Sequence, residues 1–430
     1  MQRHAFSILI LCAILLSVSA VAEFRAGFAQ RDVTPEHPQP MWGYGARHDY
    51  PSTGTMDPLM AKAVVLEAGG KRAAVVGLDL GRSPTFRSMD AIIAAVKEEA
   101  GVDYVMVSGS HTHHGPVIEL LDKPGYGKGK FDDAVAYVGV LEQKIIEAIV
   151  EAAANTVPAK IGWGSEDTDL NRNRVSKREP KPRDPELCVL RFDTMDDKPI
   201  ALVVSFAAHP VLASIMDRRW SGDWAGVMQR RVEAQSGIPC VFMQGASGDL
   251  SPNTNPERRG MEGFGAAIGD AVLAINQQVV TKVPKHPSIQ GKYDFFSFPA
   301  RLDFQNKLLM AVFKQGFFPE ITAMMVELED NIVRPRLVTV LVNNELALVG
   351  GTGEFFSDHA VRLKRESPAA KTLFFGYCNG HTMYIPTEAA VEEGGYGADP
   401  MFAWMPPQAG REMIDTALQN ITRMLAGGTP

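Results

Sequence analysis

Three histidines fall within four positions of the stretch SGSHTHHGP, Ser108 to Pro116, directly after the apolar run DYVMV. Imidazole exchanges a proton near neutral pH and, as a neutral base, ligates divalent metals. If the chain stays extended from Ser110, His111 and His113 project to one side, because side chains alternate with period two. One of them then suits a metal and the other a proton nearby, with His111 as the ligand and His113 as the proton carrier. His209 in FAAHP offers a second nitrogen from another apolar segment, and Glu354 in GGTGEFF offers a carboxylate. Zinc accepts that mixture, and a catalytic zinc keeps one position open for water. These residues form no local zinc motif, so the residues alone leave open a second reading in which the histidines serve only the fold.

Something must bring such distant residues together. Five apolar segments each end in small residues followed by a chemically capable side chain: YVMVSGSHTH, LVVSFAAHP, CVFMQGASGDLS, LALVGGTGE and LFFGYCNGHTMY. In open α/β sheets the loops at the carboxyl ends of strands gather into the ligand crevice, so these five loops are expected to share one site. Strands are expected at AVVLEA, AAVVGLDL, DYVMVSG, ELCVLRF, IALVVSFAA, PCVFMQ and RLVTVLV. Helices are expected at SMDAIIAAVKEEAG, with Ser88 capping its start and Gly101 its end, and at LEQKIIEAIVEAAANT. The alternation predicts an α/β protein: a mixed β-sheet core flanked by helices. Residues 318 to 349 read instead as consecutive strands with tight turns, so the C-terminal portion is expected to be partly antiparallel. The basic run SKREPKPRD reads as a solvated loop.

Arg3 and His4 precede an apolar stretch that ends at Ala20-Val21-Ala22, the small-x-small pattern that a signal peptidase cuts. Residues 1–22 are therefore expected to be a signal peptide, and the product to be secreted or periplasmic. No later segment is apolar enough to suggest a membrane span. The rest, residues 23–430, is long enough for a large core, with 45% hydrophobic residues in the chain, and is expected to be a single domain. A net charge of -7 argues against a nucleic-acid partner. Cys188, Cys240 and Cys378 are too few for a disulfide framework in so long a chain.

GSHTHHGP resembles the SHTHSGP segment of the neutral/alkaline, non-lysosomal ceramidases, and GASGDLSPN resembles their GDVSPN segment. The likeness extends to RAGFAQRDVTP, to NRNR, to the HP and SGD segments, and to a tyrosine-bearing stretch near the end. The resemblance implies a zinc amidase that cleaves an N-acyl bond, with Zn2+ held by His111, His209, Glu354 and Tyr384. The family wording YVTTxEEYxxxxY, matched here by YIPTEAAVEEGGY, supplies Tyr384 and Tyr396. By the same resemblance His113 shuttles protons, Tyr396 donates to the oxyanion of the tetrahedral intermediate, and Arg172 positions substrate or supports that donor. Arg174 is the alternative if the alignment slips by two. The implied substrate is ceramide or another lipid-like N-acyl amphiphile. His114, Pro386 and Val391 depart from the family wording beside the proposed ligands, and residues 23–430 are expected to correspond to the family's catalytic domain without its additional C-terminal β-sandwich.

Ser251 in GDLSPN matches a serine that the family reading also casts as nucleophile. It lacks the G-x-S-x-G elbow that would present it, and zinc already supplies a nucleophile, so contact with substrate is the expected role. Asp223 in WSGDW reads equally as a partner of a zinc histidine and as a helix N-terminal acid. Asp249 and Asn253 are expected to shape their loop. Segments such as LLMAVFKQGFFPE and MFAWMPPQ read as core or as the lining of an acyl-chain channel. Two rivals stand beside the amidase: an esterase, lactonase or serine hydrolase using Ser251, and an exported binding protein with a structural metal.

Overall fold

Strands covered on both faces are apolar at consecutive positions, not at alternate ones. AVVLEA and PCVFMQ have that character, and the computed structural model, which describes residues 23–47, 50–316, 328 and 330–428, shows why. Residues 1–22, the expected leader, lie outside the described residues. Arg25–Asp32 (β1), Met60–Ala68 (β2), Lys71–Leu78 (β3), Tyr104–Gly109 (β4), Val157–Asp167 (β5), Glu186–Thr194 (β6), Pro199–Phe206 (β7) and Cys240–Gln244 (β8) form one sheet. Its order is β8-β7-β6-β5-β1-β2-β3-β4. Pairing is antiparallel through the middle, whereas β3/β4 and β7/β8 at the two edges are parallel. Ile289–Phe295 (β9), Arg336–Val342 (β10), Leu346–Gly351 (β11) and Lys371–Phe375 (β12) form a second sheet, antiparallel except for β11/β12.

The two sheets enclose one core and carry helices on their outer faces. Val64 and Leu66 of β2 pack between the sheets with Val338 and Val340 of β10, while Ala63 and Val65 face the helix side. There they meet helices Phe86–Ala100 (α1) and Asp132–Ala154 (α2). Val241 and Met243 of β8 likewise face the sheet interior, and Cys240 and Phe242 face Asp223–Ser236 (α3) and Gly260–Gln278 (α4). Leu337 and Leu341 of β10 pack with Ser357–Glu366 (α5) and Ala409–Leu425 (α6). Each fully buried aliphatic side chain stabilises by roughly 1.5–3 kcal/mol, so period-two alternation between two apolar layers locks the register.

The α/β expectation and the antiparallel C-terminal portion are borne out. The tight turns fall between Ile332–Val333, β10 and β11; residues 318–327 and 329 of that reading lie outside the described residues. The cap of α1 is corrected: Thr85 accepts from Ser88 N, so Ser88 is inside the first turn, and Gly101 closes the helix at φ 63°. A close approach fixes the edges of the large sheet. A Cβ on Gly77 of β3 would stand 2.4 Å from the Phe242 carbonyl oxygen of β8, so only glycine lets these strands touch. That contact sets the carboxyl ends of the two parallel edges side by side.

Candidate metal and catalytic site

β4 ends at Gly109, where a Cβ would collide with the Arg82 backbone, and the chain then turns instead of continuing extended. His111 sits at φ 69°, a conformation that costs a non-glycine residue about 1–3 kcal/mol and recurs at functional sites. The turn, not strand alternation, brings His111 and His113 together, with ring centroids 5.1 Å apart. His111 Nδ1 donates to the Gly81 carbonyl at 2.7 Å. His209, in the loop after β7, donates from Nδ1 to the Ser247 carbonyl at 2.7 Å. Each anchor fixes the tautomer and leaves Nε2 as an acceptor.

Both Nε2 atoms lie 3.4 Å from Glu354 Oε2. Glu354 stands at the start of the two-residue strand Glu354–Phe355, which pairs in parallel with Tyr384–Ile385 and sets Glu354 directly beside Tyr384. The two imidazoles and the carboxylate are buried, and their ligand atoms lie within 4.8 Å of one another. A buried cluster made only of acceptors calls for a cation. The guanidinium of Arg174 answers part of that demand, donating from Nη2 to His209 Nε2 at 2.9 Å and to the Gly248 carbonyl at 3.1 Å. Two neutral imidazoles and one carboxylate also fit a divalent ion such as zinc.

The charge balance follows from burial. His209 is pushed down to about 3 by burial and by Arg174, and so stays neutral. His113 is lowered well below its ordinary value by burial and by His111. Its ring stands between Trp42 and Tyr44, at 4.9 and 4.8 Å, and neither nitrogen has a hydrogen-bond partner among the described residues. Gly43, at φ 103°, leaves the room that this ring fills.

The remaining expected residues divide. The Tyr384 hydroxyl meets Arg174 Nη2 at 3.4 Å, and burial followed by Glu354 raises its phenol well above 10, so without a cation it is neutral. Tyr396 packs on Tyr384 at 5.6 Å, lies under the Arg174 guanidinium at 5.9 Å, and is 52% exposed at the rim. Arg172 is exposed on the short strand Asn171–Asn173, opposite Ser251; Arg174, two residues on, is the arginine that reaches the imidazole. Ser251 is half-buried, and among the described residues no hydrogen bond joins its Oγ to a base. Its neighbour Leu250 accepts from His209 through its carbonyl. Asp223 begins α3 and accepts from Leu212 N and Ala213 N, so it holds the loop after His209 and not the ring itself. Asp249 ties its loop to Ser357 and Asn173, and Asn253 donates to the Asp169 carbonyl.

Two residues at the group escaped the sequence reading. Tyr377 hydrogen-bonds Ser247 Oγ at 2.9 Å, reaches Glu354 Oε2 at 3.5 Å, and its ring lies 4.2 Å from that of His111. His381 stands 3.8 Å from Glu354 Oε1. Both belong to the last of the five strand-end loops, whose position was the available signal.

The sequence profile of the neutral/alkaline non-lysosomal ceramidase N-terminal region matches residues 24–263, more than half of the chain. The chain belongs to the neutral/alkaline non-lysosomal ceramidase family. Among curated ceramidases, the neutral ceramidase of Pseudomonas aeruginosa is 27% identical over 288 residues, covering 59% of this chain and 42% of that protein. Neutral ceramidase A of Dictyostelium discoideum is 27% identical over 183 residues, or 24% of its length. The aligned stretch thus spans less than half of these curated ceramidases. The crystal structure of the P. aeruginosa neutral ceramidase superposes with a TM-score of 0.76 at 18% identity, covering 95% of this chain and 75% of that one, which establishes the shared fold. A second ceramidase structure, complexed with C2, aligns equally well. The ceramidase profile takes in His111, His113, Arg174, His209 and Ser251, while Glu354, Tyr384 and Tyr396 lie beyond its end.

Proposed function

We propose that this chain is an exported, zinc-dependent amidohydrolase that cleaves the N-acyl bond of ceramide or a related N-acylated amphiphile. The observation that carries the reading is the meeting of His111 Nε2, His209 Nε2 and Glu354 Oε2, with both Nδ1 protons already committed to carbonyls. His111, His209 and Glu354 would hold the ion, and Tyr384 would join them once a cation reverses the effect of burial on its phenol. Zinc, when bound, supplies Lewis acidity that polarises an amide carbonyl and makes water nucleophilic near neutral pH. His113, neutral and unpartnered, takes a proton from the attacking water and delivers it to the leaving amine. Tyr396 donates to the developing oxyanion, an interaction typically worth a factor of about 100–1000. Arg174, in place of Arg172, is anchored on the Gly248 carbonyl beside the Tyr384 hydroxyl and faces the Tyr396 ring, and its hydrogen bond to His209 Nε2 would give way to the ion. Ser251 contacts substrate. Its lack of a base is the reason for preferring water over serine attack.

The test is a metal-stripped preparation, assayed with and without added zinc against ceramide, N-acyl amino acids and simple esters, with products identified by mass spectrometry. Amide cleavage that vanishes on chelation and returns with zinc is expected. Undiminished turnover without metal would overturn the mechanism, and cleavage of esters alone would overturn the bond class.

A further inference from the structure

Burying a polar ring with neither nitrogen hydrogen-bonded costs about 1–3 kcal/mol for each orphaned group, and such a residue calls for an explanation. His381 is in that position. Its side chain is 3% exposed, and neither Nδ1 nor Nε2 has a hydrogen-bond partner among the described residues. The ring lies roughly parallel to that of Tyr377, at 6.4 Å and 17°. The carboxylate it faces is Glu354, whose two oxygens have different neighbours. Oε2 meets His111, His209 and the Tyr377 hydroxyl; Oε1 lies 3.8 Å from His381 Nε2, just beyond hydrogen-bond reach. The backbone fixes this placement, since Gly380 at φ 124° packs on Phe86, Asn379 is pinned by Val105 and Val107, and the Thr382 hydroxyl donates to the Thr352 carbonyl. A leucine of similar volume would avoid the desolvation cost altogether, so packing alone gives no reason for an imidazole here.

We propose that His381 is a positioning residue for Glu354, donating from Nε2 to Oε1 when the site holds its ion and so reserving Oε2 for the cation. The inference rests on the metal-site reading above and adds the group that sets how its carboxylate binds. Partners of this kind typically change metal affinity by a factor of about 10–100.

The experiment measures zinc affinity by competition with a chromophoric chelator, and the Tm of the metal-free protein, for the wild type, His381→Leu and His381→Gln. Zinc binding ten- to a hundredfold weaker in H381L is expected, with a metal-free Tm equal to or above that of the wild type and most of the affinity recovered in H381Q, whose amide can still donate. Unchanged affinity in H381L would overturn the inference. So would a metal-free Tm that falls in step with affinity, which is the signature of packing. A wild type that binds no divalent ion overturns the metal-site reading itself, a result visible before any variant is compared.

Discussion

Two groups of charge in this chain, one half-buried and one buried, are built in opposite ways. At the far end of α5, Lys364 Nζ lies 2.7 Å from Asp184 and 2.9 Å from Glu186, and Lys371 pairs with Glu186 from β12. Two cations face two carboxylates, and the cluster balances itself. At the candidate site, His111, His209 and Glu354 turn acceptor atoms toward one another, and Arg174 meets only part of their demand. The first group joins α5 and β12 to β6 and the loop before it. The second is short of donors, and a buried group of that kind could hold a cation. Burial alone does not separate stability from function; the balance of donors and acceptors does.

The largest effect is expected from making the incomplete cluster self-sufficient. Glu354→Gln puts an amide donor among the imidazole acceptors, so zinc binding measured by metal analysis should be lost, with turnover falling at least about a thousandfold. The metal-free protein should melt no lower than the wild type, which would set the variant apart from a folding defect. The opposite experiment acts on the balanced cluster. Lys364→Met strips Asp184 and Glu186 of their shared cation, leaves Glu186 with Lys371, and should lower unfolding free energy in urea by about 1–3 kcal/mol, with zinc affinity unchanged. Equal loss of zinc binding in K364M would break the distinction between the two groups.

A smaller effect comes from acid. Burial opposes ionisation of Glu186, but Lys364 and Lys371 outweigh it and hold the carboxyl at about 2. A carboxylate with a depressed folded-state value adds stability above its unfolded value near 4.3 and loses it as pH falls through the folded one. Stability of the metal-free protein should therefore decline between about pH 4.5 and 2, and K364M should flatten that decline. The smallest change is expected at Ser251, which belongs to neither group. Ser251→Ala should keep turnover within about twofold, and a collapse of turnover with intact zinc content would restore serine attack.

Much of this arrangement could be read from residue order because strand ends announce themselves. Apolar runs such as CVFMQ and LALVGG stop abruptly at small residues, and those stops are the places where the chain reaches the site. The turn at His111 was not legible, because a positive φ at a histidine depends on the contacts of Gly109 and Gly81 and not on local preference. Arg172 and Arg174 are two residues apart and would share a face of any strand that held both, so nothing local distinguished them. It is the break in pairing after Asn173 that sends Arg174 inward. Tyr377 and His381 were hidden for another reason. An aromatic residue after LFF reads as more core, and only the parallel pairing of β11 with β12 carries that loop to Glu354.

The contact of Gly77 with Phe242 has a consequence for assembly. Neither imidazole loop can find the other until the two rims of the large sheet have closed, and the carboxylate arrives from a separate sheet laid over that closure. Capture of an ion there would thus be a report on completed long-range architecture, available only after the slowest, most non-local pairings are made. Adding even one methyl group at Gly77 would delay or prevent it from a place remote from the chemistry.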